Sequence, residues 1–88
     1  MIQHTVKIRN RAGMHTRPAS MIVKIAAKYK SEFFIIKDNY RINGKSIIGI
    51  MSLAAEFGSE LTLRFEGPDE EKAAQEMIKY FEEGFGEP

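Results

Sequence analysis

Two hydrophobic periods alternate along the chain, and their order is the strongest constraint on its fold. Residues 2–9 alternate apolar and polar side chains as a half-buried strand does, and residues 61–66 repeat this alternation. Residues 19–26 and 74–81 instead place apolar side chains three and four positions apart, which is typical of an amphipathic helix. Interleaved strands and helices predict one layered domain, because every element has an apolar face to bury.

The segments between these four are predicted from local signals. "SEFFIIK", residues 31–37, is nearly continuous in β-prone apolar residues and predicts a well-buried strand. "DNYRING" has two turn signals around a short segment at 40–42, which predicts a hairpin. "KSIIGIMSLAAEFG" is compatible with a buried strand or a short helix, and Ser46 as N-cap with Gly58 as stop favours the helix.

The last segment, "PDEEKAAQEMIKYFEEG", is the clearest helix. Pro68 and the acidic residues after it suit a first helical turn, and Gly84 suits the end. The predicted inner faces are Ala19, Ile22, Val23 and Ala26 in the first helix and Ala74, Met77, Ile78 and Phe81 in the last. The order βαββαβα predicts an α+β fold, an open-faced β-sandwich in which three helices cover one face of a four-stranded antiparallel sheet. Residues 1–88 form a single domain in this prediction.

Composition excludes several classes of function. The formal net charge of +1 argues against nucleic-acid binding, and the absence of cysteine excludes a disulfide scaffold and thiol chemistry. No apolar stretch is long enough to insert into a membrane, and "MIQHTVKIRN" lacks the apolar core of a signal peptide, so a cytoplasmic location is expected. His4 is predicted to be an ordinary strand residue, and neither a metal site nor a cofactor is expected.

The stretch "GMHTRPAS", residues 13–20, places a histidine where a glycine turn becomes a helix. A His15 at or beside the N-cap leaves the N–H groups of Thr16 and Arg17 without helical partners, which makes an anion site. The helix dipole disfavours a second proton on the ring, and a neutral imidazole is a nucleophile. Arg17 adds a charge-assisted contact to phosphate. The alternative is that His15 is a surface or capping residue.

The whole chain resembles HPr, the histidine phosphocarrier family of the phosphoenolpyruvate-dependent sugar phosphotransferase system. "GMHTRPAS", "NGKSIIGIMSL" and "EGPDEEKA" carry the resemblance. It implies that His15 accepts phosphate at Nδ1 and that Arg17 stabilises it. It also implies enzyme I as donor and sugar-specific enzyme IIA domains as acceptors. A carrier of this kind is not itself an enzyme, and a monomer is expected.

The resemblance gives Ser46 a second interpretation beside that of an N-cap. In part of the family a kinase/phosphorylase phosphorylates the matching serine, which links the carrier to a catabolite-control transcription regulator. Ile47, Ile48 and Met51 are either core or an exposed docking patch. Lys24 and Lys28 either surround that patch or are ordinary solvated lysines. The predicted partner-binding set is Thr16, Arg17, Ser20, Lys24, Ile47, Ile48 and Met51.

Three other functions remain as alternatives. A purely regulatory module would use the Ser46 segment without carrying phosphate on histidine, and a nitrogen-related branch of the phosphotransferase system would use the same histidine chemistry. A small RNA-binding domain is disfavoured, because the adjacent Phe33 and Phe34 point to opposite faces of a strand. No role is predicted for the tail "GFGEP".

Overall fold

The computed structural model describes residues 1–88 and has four strands and three helices. The strands are β1 (Ile2–Lys7), β2 (Glu32–Lys37), β3 (Tyr40–Asn43) and β4 (Glu60–Glu66). The helices are α1 (Thr16–Ala27), α2 (Ile47–Ser52) and α3 (Glu70–Glu82), and a 3-10 turn follows at Gly84–Gly86. The observed order confirms the predicted βαββαβα arrangement and its α+β class. None of the helices has the length and apolar character needed to cross a bilayer.

The sheet has the order β1-β4-β2-β3, and every neighbouring pair is antiparallel. Central strand β4 buries Leu61, Leu63 and Phe65 on one face, while its alternate residues stay partly exposed. The Phe33 ring of β2 stacks on Phe65 with the ring centroids 4.9 Å apart. The helices cover this apolar face, so the core lies between one sheet and one helical layer.

Strand β2 is less buried than its apolar sequence predicts. Phe33 and Ile35 face the core, but Phe34 and Ile36 are only half-buried on the opposite face. The guanidinium of Arg41 lies 4.6 Å from the centroid of the Phe34 ring and covers part of it. The prediction of a well-buried strand holds for one face only, because the second face of the sheet has no helical layer.

The inner faces of the two long helices differ slightly from the predicted ones. Val23 is half-buried at the edge of α1 and Ile25 is in the core, and Ile78 of α3 is half-buried beside a buried Ala73. The buried sets are Pro18, Ala19, Ile22, Ile25 and Ala26 in α1 and Ala73, Ala74, Met77 and Phe81 in α3. The apolar stripe is wide enough that its edges cannot be placed from spacing alone.

Two predicted helix boundaries were wrong. α2 ends at Ser52, well before Gly58, and Ala54 follows in the left-handed region with φ of 49°. Buried Leu53 and Ala55 on either side hold this conformation, which a sequence pattern does not reveal. α3 begins after the N-cap Asp69, so Pro68 precedes the first turn. Gly84 follows α3 at a φ of 64° and ends it as predicted.

Candidate functional site

His15 occupies the N-cap position of α1 without using its side chain as a cap. Its backbone is extended, with φ −82° and ψ −172°, and the ring makes no capping hydrogen bond. The first intrahelical bond runs from the Ala19 N–H to the His15 carbonyl at 3.0 Å. The imidazole is 39% exposed. The ring is therefore available for chemistry, because the helix start does not depend on it.

The turn before His15 is fixed by a close approach to the chain that follows α2. Gly13 has a φ of 75°, and a Cβ there would lie 2.8 Å from the carbonyl oxygen of Ala55. The N–H of buried Met14 donates to the same oxygen at 3.0 Å. A glycine is required at this position both by its conformation and by the space. This contact sets where α1 starts and where His15 lies.

The first turn of α1 leaves two backbone N–H groups without partners, as the sequence predicts. The N–H groups of Thr16 and Arg17 precede the first helical bond and have no acceptor within the helix. Pro18 comes next and has no N–H to leave unsatisfied. The Arg17 side chain is 55% exposed and lies on the same turn. Its hydrogen bond to Glu87 raises the pKa of Arg17, so the guanidinium is fully charged.

Glu87, from the tail that had no predicted role, completes the site. Its Oε1 atom lies 2.8 Å from His15 Nε2 and accepts a hydrogen bond from Asn10 Nδ2 at 2.7 Å. Its Oε2 atom accepts from the Arg17 guanidinium. Hydrogen bonds from Arg17, His15 and Asn10, in that order, lower the pKa of Glu87 to about 2. An ionised carboxylate therefore joins the histidine and the arginine.

The tail is anchored by Phe85, which sequence analysis left unassigned. Its buried ring packs against Tyr80 and Phe81 with centroid separations of 5.1 and 5.0 Å. The Phe85 carbonyl accepts from Arg17 Nη2 at 3.3 Å, and the Arg11 N–H donates to the main-chain oxygen of Pro88 at 2.8 Å. The available signal in the sequence was Phe85 itself, a large apolar residue between two glycines, which is typical of an ordered turn packed on a core.

Asn10, which the sequence analysis treated only as part of a turn, also contributes to the site. Its side chain is fully buried, and Nδ2 donates to the Gly13 carbonyl as well as to Glu87, both at 2.7 Å. The Gly13 N–H donates back to the Asn10 carbonyl at 3.2 Å. Asn10 thus joins the turn before His15 to Glu87, the tail residue that contacts the imidazole.

Ser46 is the N-cap of α2, as the sequence predicts. Its Oγ accepts from the Gly49 N–H at 3.1 Å. In the helix that follows Ser46, Ile48 is 80% exposed and Ile47 and Met51 are also exposed. Ile50 is the one buried residue of this helix. The three exposed side chains, Ile47, Ile48 and Met51, are called the α2 patch below. Because α2 packs on α1, the patch adjoins the helix that starts at His15.

The remaining predicted residues lie apart from these contacts. Lys24 and Ser20 are accessible on α1. Lys28 forms an ion pair with Glu76 of α3 at 2.6 Å, so its charge is directed to α3 and not to the α2 patch. His4 is an exposed strand residue with Nε2 3.9 Å from Glu82 Oε2, and it takes no part in the site.

Comparison with known proteins finds relatives along nearly the whole chain. The family model described as "PTS HPr component phosphorylation site" matches residues 2–83. The chain is 45% identical over 87 residues to the phosphocarrier protein HPr of Treponema pallidum, covering 99% of both chains. It is 40% identical to the HPr-like protein Crh of Bacillus subtilis, covering 94% of this chain and 98% of that one.

The fold has equally close counterparts among solved structures. The crystal structure of HPr from Thermoanaerobacter tengcongensis superimposes with a TM-score of 0.95 at 42% sequence identity, covering 100% of this chain and 99% of that one. The likeness extends over the whole chain. The chain belongs to the HPr family of phosphocarrier proteins of the phosphotransferase system.

Proposed function

We propose that this chain carries a phosphoryl group on Nδ1 of His15, received from phosphorylated enzyme I and passed on to sugar-specific enzyme IIA domains. One observation carries the proposal: His15 occupies a helix N-cap, yet its ring takes no part in capping. A capping histidine would use the ring to satisfy the first-turn N–H groups. Here those N–H groups and the Nδ1 atom of the ring have no hydrogen-bond partner, while Nε2 meets Glu87.

The chemistry needs no enclosed pocket. The lone pair of Nδ1 attacks phosphorus, the bond between phosphorus and the donor breaks, and its electron pair stays with enzyme I. The phosphoryl oxygens then take up the N–H groups of Thr16 and Arg17 and the guanidinium of Arg17. A second attack, by a nucleophile of the enzyme IIA domain, reverses these roles. The chain acts as a carrier rather than as a catalyst with its own substrate.

Docking to both partners is proposed to use the surface around the His15 end of α1. The residues are Thr16, Arg17, Ser20 and Lys24 of α1 together with Ile47, Ile48 and Met51 of the α2 patch. Exposed apolar side chains on a protein this small suit transient contact with several partners, and methionine adapts to different surfaces. The basic side chains of Arg17 and Lys24 favour acidic-faced partners.

The carrier function is tested by mass. The protein is incubated with phosphoenolpyruvate and an enzyme I of established activity, and its intact mass is measured before and after mild acid. One added phosphoryl group that acid removes is expected. His15→Ala abolishes it, whereas His4→Ala, the matched histidine control, keeps it. Failure of the wild type to gain phosphate, with an HPr control phosphorylated in the same mixture, would contradict the proposal.

Regulation at Ser46 is proposed as a second function of the same chain. The likeness to Crh and the position of Ser46 beside the α2 patch support it. A phosphoryl group on Oγ adds about −1.5 to −2 charges at a helix N-terminus, where the dipole tolerates them. The new charge lies at the docking surface and weakens contact with acidic-faced partners. A kinase/phosphorylase would place the group, and a catabolite-control transcription regulator would recognise it.

The regulatory proposal is tested with ATP and an HPr kinase/phosphorylase. The expected product carries one acid-stable phosphoryl group at Ser46, and it accepts phosphate from enzyme I more slowly than the unmodified chain. Ser52→Ala is the matched control, since Ser52 lies on the same helix and its hydroxyl donates to the Gly49 carbonyl at 2.7 Å. Absence of acid-stable phosphate, or an unchanged transfer rate after modification, would remove this second function.

A further inference from the structure

We propose that Glu87 is a positioning residue for phosphoryl transfer at His15. It keeps the ring proton on Nε2, leaves the lone pair on Nδ1, and stabilises the positive charge that the ring gains during transfer. The inference rests on the proposed carrier function and deepens it. It assigns a role to the tail, whose side-chain carboxylate reaches His15 from 72 positions away in the sequence.

The hydrogen bond determines which ring nitrogen carries the proton. Glu87 Oε1 lies 2.8 Å from His15 Nε2, which is an ordinary hydrogen-bond distance. An ionised carboxylate only accepts hydrogen bonds, so the hydrogen must belong to Nε2. A neutral imidazole has one proton, and Nδ1 is then the nitrogen with the free lone pair. The contact therefore selects the tautomer that attack through Nδ1 requires.

The carboxylate is held in place before any partner arrives. Its side chain is only 16% exposed, and both oxygens are engaged, Oε1 by Asn10 and His15 and Oε2 by Arg17. The buried Phe85 ring fixes the backbone two residues earlier. Because Asn10 also fixes the turn before His15, the carboxylate and the imidazole share one framework. Such preorganisation orients the ring without a cost at the moment of reaction.

The charge on the ring changes during transfer in a way that the carboxylate favours. When Nδ1 bonds to phosphorus while Nε2 keeps its proton, the imidazole becomes an imidazolium-type ring with a positive charge. No proton has to leave in this step. The carboxylate faces the Nε2–H that shares this charge, as the aspartate does in a serine protease triad. On transfer to the next protein, the bond electrons return to Nδ1 and the same protonated ring is the better leaving group.

The experiment measures the ring and the rate on the same variants. The protein is labelled with ¹⁵N in its histidine rings, and the Nδ1 and Nε2 signals of His15 are recorded without phosphate. The initial rate of phosphorylation by enzyme I is then measured. The variants are Glu87→Ala and Glu87→Gln. The matched control is Glu83→Ala, which removes a carboxylate at the C-cap of α3 that makes no side-chain hydrogen bond to the site.

The wild type is expected to show a protonated Nε2 and an unprotonated Nδ1. Glu87→Ala loses the hydrogen-bonded Nε2–H signal and is phosphorylated about tenfold more slowly, a smaller loss than in a buried triad because water screens this site. Glu87→Gln keeps an acceptor oxygen but no charge, so it retains the tautomer and still loses rate. Glu83→Ala matches the wild type in both measurements.

Two results would overturn the inference, and they differ from failure of the carrier function. The first is a Glu87→Ala protein with wild-type ring signals. The second is a wild-type transfer rate in that variant while the wild type is normally phosphorylated. A wild type that accepts no phosphate from active enzyme I would instead refute the carrier function, and the role of Glu87 in transfer with it.

Discussion

The two helix starts at His15 and Ser46 look alike in sequence but are used differently in the structure. Ser46 closes α2 with its own side chain, which accepts from the Gly49 N–H at 3.1 Å. His15 stands at the same position of α1 and caps nothing; its Nε2 instead meets the carboxylate of Glu87 at 2.8 Å. The Ser46 side chain satisfies a first-turn N–H group of its own helix, whereas the start of α1 leaves two N–H groups and the Nδ1 atom of His15 without partners.

This difference separates stability from function at the level of single residues. A change at the α2 start removes a hydrogen bond that the fold uses. A change at the α1 start removes groups that do not cap the helix and that the proposed phosphoryl transfer needs. The four predictions below test this distinction, beginning with the largest effect.

Arg17→Ala is expected to slow phosphorylation of His15 by enzyme I about 100-fold, since it removes a cation aimed at the developing phosphoryl charge. Stability should fall only slightly, because the ion pair that is lost, between Arg17 and Glu87, involves a mostly exposed arginine side chain. Initial rates and urea unfolding measure the two effects. Arg11→Ala is the control, an exposed arginine that contacts the tail only through its backbone N–H. Equal slowing in both variants would mean that general positive charge matters and that the Arg17 position does not.

Gly13→Ala is expected to lower the free energy of unfolding by about 2 kcal/mol, through its positive φ and its clash with the Ala55 carbonyl. It should also slow transfer, because the turn positions His15. Gly58→Ala is the matched control: its φ is 86°, but a Cβ there meets nothing within 4 Å, so only the conformational cost of about 1 kcal/mol remains. Chemical denaturation of both variants gives the comparison. A Gly13→Ala protein no less stable than Gly58→Ala would contradict the close approach.

Ser46→Ala is expected to cost about 1 kcal/mol of stability through loss of the N-cap bond. The protein should still gain acid-labile phosphate from enzyme I, because the acceptor is on the other helix. Ser52→Ala removes an exposed hydroxyl from the same helix and is expected to cost less than about 0.5 kcal/mol. Unfolding midpoints in urea distinguish the two. A Ser46→Ala midpoint equal to that of Ser52→Ala would show that the cap contributes nothing.

Acid should weaken the fold partly through Glu87. Its pKa falls from an ordinary 4.5 to about 2 on folding, so the unfolded chain takes up the proton first as the pH drops. The stabilisation is complete above about pH 4.5 and is lost as the pH falls toward 2. Unfolding free energies of Glu87→Ala over this range should depend less on pH than those of the wild type. Ser46→Ala removes no titrating group, so its unfolding free energy should depend on pH as that of the wild type does. A steeper pH dependence in Glu87→Ala would contradict the lowered pKa of Glu87.

The fold and the turn that carries His15 were predictable because their sequence signals are local. Alternation, helical spacing and turn residues specified all seven main elements, and the stretch at residues 13–20 placed His15 and Arg17 together at a helix start. The errors lie where tertiary contacts decide: Val23 and Ile25 exchange places at the edge of a stripe, and α2 stops at a left-handed Ala54. Neither feature has a marker in a single sequence.

The rest of the site was not predictable, because it depends on contacts between distant parts of the chain. Glu87 lies 72 positions after His15 and 77 positions after Asn10. The residues themselves gave weak hints: an asparagine in a turn and a phenylalanine between glycines. The packing of Phe85 on α3 and the hydrogen bonds of Glu87 show that the tail returns to the start of α1.

The most direct test of this account is to identify the phosphorylated nitrogen. Protein labelled with ¹⁵N in its histidine rings is phosphorylated by enzyme I, and the coupling between phosphorus and nitrogen is measured by NMR. We expect phosphorus bonded to Nδ1 of His15, with Nε2 still hydrogen-bonded to Glu87. A phosphoryl group on Nε2, the nitrogen that lies beside the Glu87 carboxylate, would contradict the proposed roles of His15 and Glu87.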